Sequence, residues 1–60
     1  MGEKLKAARK AAGMTQAQLA AALGCTQKDV SRWEAGREPG ALTVKKMAQV
    51  LGCSMDDLVQ

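Results

Sequence analysis

The 60-residue chain contains no histidine, no phenylalanine and no tyrosine, and it has only one proline, one tryptophan and two cysteines. Without histidine the chain lacks the side chain that most often acts as a general base or metal ligand. It also has no glycine-rich phosphate loop, and its carboxylates are scattered along the sequence. We therefore expect no enzymatic activity, no metal site, no cofactor and no small-molecule substrate.

The scarcity of aromatic side chains also limits how the chain could bind a nucleic acid. Proteins that bind RNA or single strands by stacking expose several aromatic rings, whereas this chain has only Trp33. Trp33 follows Val30 at helical spacing, so we expect its ring in the core. The other expected core residues are the alanines and Leu5, Leu19, Leu23, Val30, Met47, Leu51 and Leu58.

No apolar segment approaches the length of a membrane span, and no secretory signal is recognisable. A cytoplasmic location is therefore the default expectation. The two cysteines, Cys25 and Cys53, could form a disulfide or a redox switch. Intracellular thiols are usually reduced, and a buried thiol behaves as a small apolar side chain, so we expect both to be buried and reduced.

The informative part of the chain lies between residues 15 and 35. Thr15 is suited to cap a helix that ends at Gly24, and Thr26 is suited to cap a second helix after a very short connection. Val30 is a compact apolar side chain on the face of the second helix that turns toward the first. The pattern predicts a helix-turn-helix, in which the second helix enters the major groove of DNA.

The second helix of this motif, at about residues 26–35, has a polar outer face. Glutamine can pair with an adenine edge and arginine with a guanine edge, while lysine and serine can contact bases or phosphates. On a surface helix without this context, such a face would simply be solvated. Asp29 could accept from a cytosine amino group or favour the helix N-terminus through the helix dipole. The donors that we expect to read bases are Gln27, Lys28, Ser31 and Arg32.

Two stretches, LKAARKAAGMTQAQLAAALGCTQKDVSRWEAGREP and TVKKMAQVLGCSMDDLV, resemble the phage-repressor and Cro-like helix-turn-helix family, often called XRE-type regulators. The resemblance covers nearly the whole chain. It implies an all-α fold, a compact five-helix bundle of the lambda-repressor type, forming a single domain over residues 1–60. It also implies phosphate contacts at Gln16, where the second helix starts, and at Arg37, in the loop after the third. Thr26 is expected to help position the DNA backbone.

A structural ion pair is expected between Arg9 and Glu34. Glu34 lies four residues after Val30, on the interior side of its helix, where an unpaired carboxylate is costly. Arg9 lies on the apolar side of the first helix, and the family resemblance pairs an arginine with a glutamate at these places. The alternative is two independent surface charges, which would contribute little to stability. A paired Arg9 would not be a DNA contact.

The remaining segments organise the bundle. We expect a first helix over residues 2–12, a turn at GREPG (36–40), a helix from Ala41 to Leu51 and a final helix capped by Ser54 with Asp57. No strand, internal repeat or linker is expected. The net charge is +3. Basic residues lie in and just after the third helix, whereas Asp56 and Asp57 lie near the last residue given. Lys4, Lys6 and Lys10 either extend the basic side or form a solvated face.

These expectations favour a sequence-specific transcription regulator, a repressor in type, that binds a pseudo-palindromic operator in double-stranded DNA as a homodimer. Leu42, Leu58 and Val59 could form a modest apolar patch for the second copy, or they could be ordinary scattered surface residues. The competing interpretation is a protein-interaction module, such as an antitoxin or an adaptor with the same fold. Such a module would be expected to expose aromatic or aliphatic anchors on the third helix, where this chain has polar and basic side chains.

Overall fold

Five helices and no strand are present in a computed structural model that describes residues 1–59. The helices are α1 (Gly2–Ala11), α2 (Gln16–Leu23), α3 (Gln27–Glu34), α4 (Ala41–Leu51) and α5 (Asp56–Val59). The all-α class expected from the sequence is confirmed over this range. The predicted bounds of α4 agree with the structure, whereas α1 stops at Ala11 because Ala12 already serves as its C-cap.

Local hydrogen bonds set the limits of α2. The hydroxyl of Thr15 accepts the backbone N–H of Gln18 at 3.0 Å, and the side chain of Gln18 accepts the backbone N–H of Thr15 at 2.9 Å. This reciprocal capping box satisfies two donors that would otherwise lack partners at the helix start. Gly24 ends the helix with φ of 74° and ψ of 30°, a left-handed conformation that glycine adopts without strain.

Helix α3 also begins with a capping box, at Thr26, two residues after Gly24. The Thr26 hydroxyl accepts the backbone N–H of Asp29 at 3.3 Å. The Asp29 carboxylate in turn accepts the backbone N–H of Thr26 at 3.3 Å and its hydroxyl at 3.1 Å. Of the two roles considered for Asp29, the structure therefore supports the one at the helix N-terminus.

The core is formed by side chains from all five helices. Helix α3 packs against α1 and α2, while α2 also packs against α4 and α1 against α5. The largest fully buried side chains are Leu5, Leu19, Val30, Met47 and Leu58. Leu23, Trp33 and Leu51 are only partly buried against this centre. The fully buried core is thus aliphatic, and the single aromatic ring lies at its edge.

The expectation that Leu58 lies in the core is confirmed, and the alternative that it contributes to a surface patch is wrong. Its side chain is 0% exposed and belongs to the core, because α5 packs against α1 with Leu58 on its inner face. The exposed large apolar side chains are instead Leu42, Met55 and Val59, which are 78%, 40% and 50% exposed. Within residues 1–59 no helix is long and apolar enough to cross a membrane.

Two turns of the fold share one short sequence pattern. We call residues 23–30, LGCTQKDV, the first turn segment and residues 51–58, LGCSMDDL, the second turn segment. Gly24 and Gly52 have φ values of 74° and 70°. The cysteine after each glycine donates its N–H to the carbonyl of an alanine five residues earlier, at 2.9 Å and 3.0 Å. The similarity is limited to a turn and its caps, and the flanking helices differ in sequence.

Candidate nucleic-acid interface

The outer face of α3 brings together four residues that were expected to read bases. Gln27 and Ser31 lie one helical turn apart, as do Lys28 and Arg32, and all four are exposed. The opposite face carries Val30, which is fully buried. The helix therefore presents amide, ammonium, hydroxyl and guanidinium donors outward from a side that is fixed to the core.

The far end of α3 is tied to α1 by the ion pair of Arg9 and Glu34. Arg9 Nε donates to Glu34 Oε2 at 2.6 Å and Arg9 Nη2 donates to Glu34 Oε1 at 3.2 Å. The third nitrogen, Nη1, donates to the carbonyl oxygen of Met14 at 2.9 Å. The side chains are only 10% and 5% exposed. Such a bidentate contact fixes the distance and the orientation of the two side chains, and the guanidinium of Arg9 is bound inside the protein.

The electrostatics of Glu34 favour its charged form. Burial alone would raise the pKa of this carboxyl. Hydrogen bonds from Arg9 and Gln16, together with the charges of Arg9 and Lys6, outweigh burial and hold the pKa of Glu34 below its ordinary value of 4.5. Hydrogen bonding to Glu34 in turn raises the pKa of Arg9, against the opposing effect of burial. Both partners are therefore charged at neutral pH.

Gln16 links this ion pair to the exposed face of α3. Its side-chain nitrogen donates to Glu34 Oε1 at 3.0 Å, and its oxygen accepts from the side chain of Gln27 at 3.4 Å. One N–H of the Gln16 amide is thus used within the protein, so the phosphate contact expected at this position would use the second. Sequence reasoning missed both contacts, since nothing in the spacing of these residues indicates that their side chains meet.

Two other residues expected to contact the DNA backbone have different surroundings. Thr26 is exposed, but its hydroxyl and its backbone N–H both donate to Asp29. A phosphate contact by Thr26 would require one of these bonds to break. Arg37 is exposed just beyond α3, and its backbone N–H donates to the carbonyl of Arg32 at 3.0 Å. This bond holds the start of the loop close to the end of α3.

The cysteines occupy matching places in the two turn segments. Cys25 and Cys53 are half-buried, free thiols. Burial raises the pKa of each thiol, and the nearby carboxylates of Asp29 and Asp57 add to the effect. Raised values disfavour the reactive thiolate. Across residues 1–59 no group of three histidine, cysteine, aspartate or glutamate side chains is placed to hold a metal ion.

A short turn between two capped helices, with donors on the outer face of the second helix, is the arrangement of a DNA-binding motif. A family model described as helix-turn-helix matches residues 5–58. The chain belongs to this helix-turn-helix family. The match confirms the resemblance to phage-repressor and Cro-like regulators and identifies these residues as a DNA-binding helix-turn-helix domain.

Solved structures contain a similar domain within a longer protein. A crystal structure of FeII HppE in complex with substrate is 36% identical, with a TM-score of 0.92 over 98% of this helix-turn-helix chain and 34% of that chain. A crystal structure of CoII HppE in complex with substrate is 37% identical, with a TM-score of 0.89 over 95% of this chain and 33% of that chain. The chain thus spans about a third of the length of these proteins. No curated protein matches it at a significant level.

Proposed function

We propose that this helix-turn-helix chain is a sequence-specific transcription regulator, a repressor in type, that binds a pseudo-palindromic operator in double-stranded DNA as a homodimer. The observation that carries the proposal is the exposed donor face of α3, formed by Gln27, Lys28, Ser31 and Arg32. The helix that bears it is fixed at its start by the capping box and at its end by Glu34. Accurate recognition of base edges requires side chains that are held in this way.

The proposed contacts differ in chemistry and in role. Arg32 and Gln27 read bases, Lys28 reads a base or anchors to a phosphate, and Ser31 supplements them. Gln16, Thr26 and Arg37 position the DNA backbone. The contact from Gln27 to Gln16 supports this scheme, because it orders a base-reading amide before DNA is bound.

A homodimer suits the size of the domain. One copy buries little DNA surface, whereas two copies about 34 Å apart would contact two half-sites on one side of the duplex. The exposed side chains of Leu42, Met55 and Val59 offer apolar area for contact with the second copy. We place this regulator in the cytoplasm and assign it no catalysis, cofactor or small-molecule substrate. The metals and substrate of the HppE structures are features of those proteins.

The proposal is tested by selecting from a pool of randomised duplex DNA at two salt concentrations, followed by sequencing. We expect enrichment of a pseudo-palindrome whose half-sites lie about one helical turn apart. Arg32→Ala should weaken binding to the selected duplex by roughly 1 to 3 kcal/mol, about 5- to 150-fold, and relax its sequence preference. Arg37→Ala should weaken binding to all sequences alike.

Lys46→Ala is the matched control for charge. Lys46 is exposed on α4, and its loss removes one positive charge without touching α3. Weak, salt-labile binding that enriches no sequence, with Arg32→Ala and Lys46→Ala equally impaired, would contradict the proposal. That result would favour the protein-interaction module that uses the same fold.

A further inference from the structure

Gly2, the first residue of α1, lies buried against the end of α3. A Cβ atom at this position would overlap the carbonyl oxygen of Glu34, and it would lie 2.9 Å from the carbonyl carbon of Glu34 and 3.1 Å from the carbonyl oxygen of Trp33. These are backbone atoms of a helix, so they cannot rotate away as a flexible side chain would. Any residue other than glycine therefore requires the backbone of α1 or of α3 to shift.

At the other glycines, packing does not exclude a side chain. Four of them have positive φ values between 70° and 118°, a backbone conformation that other residues rarely adopt. Gly40 has an ordinary φ of −68°. At all five positions a Cβ would meet open space: Gly13, Gly24, Gly36, Gly40 and Gly52. Only at Gly2 does interhelical packing, rather than a turn, exclude a side chain.

The buried face of α1 holds Glu34 at two points. Gly2, Leu5 and Arg9 follow one another at spacings of three and four residues, so they share one face of the helix. All three are buried. Gly2 lies against the backbone carbonyl of Glu34, while Arg9 binds the carboxylate of the same residue. The last residue of α3 is therefore held by its main chain and by its side chain.

We propose that Gly2 is a positioning residue for DNA binding, because its lack of a side chain sets the distance between α1 and the end of α3. This inference rests on the proposed function of the outer face of α3. With a side chain at position 2, the contact to the Glu34 carbonyl carbon has to lengthen from 2.9 Å to an ordinary distance of at least 3.4 Å. This shift of 0.5 Å already reaches the tolerance of about 0.5 Å within which binding groups must be held, and the overlap with the carbonyl oxygen of Glu34 requires a larger one.

The test compares Gly2→Ala with Gly40→Ala, a matched substitution at a glycine where a Cβ meets open space. Circular dichroism establishes that each variant is folded at the temperature used. We expect Gly2→Ala to weaken binding to the selected duplex about tenfold and to leave binding to random duplex within twofold. Gly40→Ala should change neither. NMR should show that the backbone amides of residues 27–34 shift in Gly2→Ala and stay in place in Gly40→Ala.

A folded Gly2→Ala protein with parental affinity and unshifted α3 amides would overturn the proposal, because the first turn of α1 would then have yielded instead of α3. If Gly2→Ala does not fold, a chain beginning at Glu3 replaces it; this chain removes the contact without adding a clash, together with Met1, which packs against the core and accepts the N–H of Leu5, so its α3 amide shifts are compared as well. Weaker binding to the selected duplex by that chain supports the proposal, and parental binding overturns it. If the parent protein selects no sequence, the proposed function fails, and the amide shifts alone decide whether Gly2 positions α3.

Discussion

The first and second turn segments build the same turn but present different surfaces. In each, a left-handed glycine ends one helix, a half-buried cysteine follows, and a hydroxyl pairs with an aspartate to cap the next helix. Each then places a fully buried aliphatic side chain in the core, Val30 in the first segment and Leu58 in the second. The shared residues therefore determine how two helices are joined.

The residues that differ determine what the second helix of each pair offers to a ligand. After the capping threonine, the first segment has Gln27 and Lys28, whereas after the capping serine the second has Met55 and Asp56. The donors of the first would attract phosphates and base edges, while the carboxylates of the second would repel phosphates. The turn alone therefore does not indicate DNA binding. The exposed side chains after the cap carry that information.

The two segments also differ in how their second helix is held. Helix α3 has eight residues and is fixed at its far end by Arg9 and Gln16 through Glu34. Helix α5 has four residues and is held in the core by Leu58. A helix of one turn gains little from its own hydrogen bonds, so its packing decides its position.

The anchoring of α3 would be broken by Glu34→Ala. Removal of one partner leaves the buried guanidinium of Arg9 without its counter-charge, so we expect the free energy of unfolding to fall by roughly 3 kcal/mol. A domain of this size is stabilised by only about 3 to 9 kcal/mol in total, so the effect is large. Urea denaturation followed by circular dichroism measures it. A loss below about 0.5 kcal/mol would show that the pair behaves as two surface charges.

Acid should weaken the same anchor reversibly. Because the pKa of Glu34 is lower in the folded chain than its ordinary value of 4.5, the pair stabilises the fold fully above that value. The contribution is lost as the pH falls through the lower, folded pKa. Urea midpoints from pH 7 to pH 2.5 should show this loss, and Glu34→Gln, which cannot ionise, should reduce the dependence on pH. An unchanged pH profile in Glu34→Gln would assign the acid sensitivity to other carboxylates.

Alanine substitutions at the glycines of the two turns should have the smallest effect on stability, and they test directly whether the two segments differ in their effect on DNA binding. Gly24 and Gly52 have nearly equal φ values, and a Cβ meets open space at both. Alanine at either position should therefore cost about 1 kcal/mol of stability, from backbone strain alone. DNA affinity, measured where both variants are fully folded, should fall only for Gly24→Ala, because only that turn sets the angle of α3. Equal losses of affinity would refute the distinction between the two segments.

The elements that the sequence predicts best are those defined by a few neighbouring residues. The cap of α2 at Thr15, the cap of α3 at Thr26 and the bounds of α4 each depend on side chains within one or two helical turns. The ion pair of Arg9 and Glu34 spans a longer separation. Its prediction depended on placing both charges on inner helix faces and on the family resemblance.

Contacts that depend on the relative placement of helices could not be predicted in this way. The link from Gln16 to Glu34 and the contact of Gly2 with the end of α3 join residues that are distant in sequence, and no spacing rule connects them. Leu58 shows a related limit: the sequence allows it both in the core and in a surface patch, since a four-residue helix has too few positions to reveal which of its faces is buried. The predicted DNA contacts lie on or beside α3 as expected, and their roles stay predictions.

The position of Trp33 has a consequence for optical spectroscopy. It is the one tryptophan of the chain, the sequence has no tyrosine, and its ring is half-buried near the end of the helix that carries the proposed DNA contacts. Ultraviolet-excited emission from the native protein therefore arises from a single place in the fold. Its wavelength and its quenching by iodide would report the local environment of α3 without an added label.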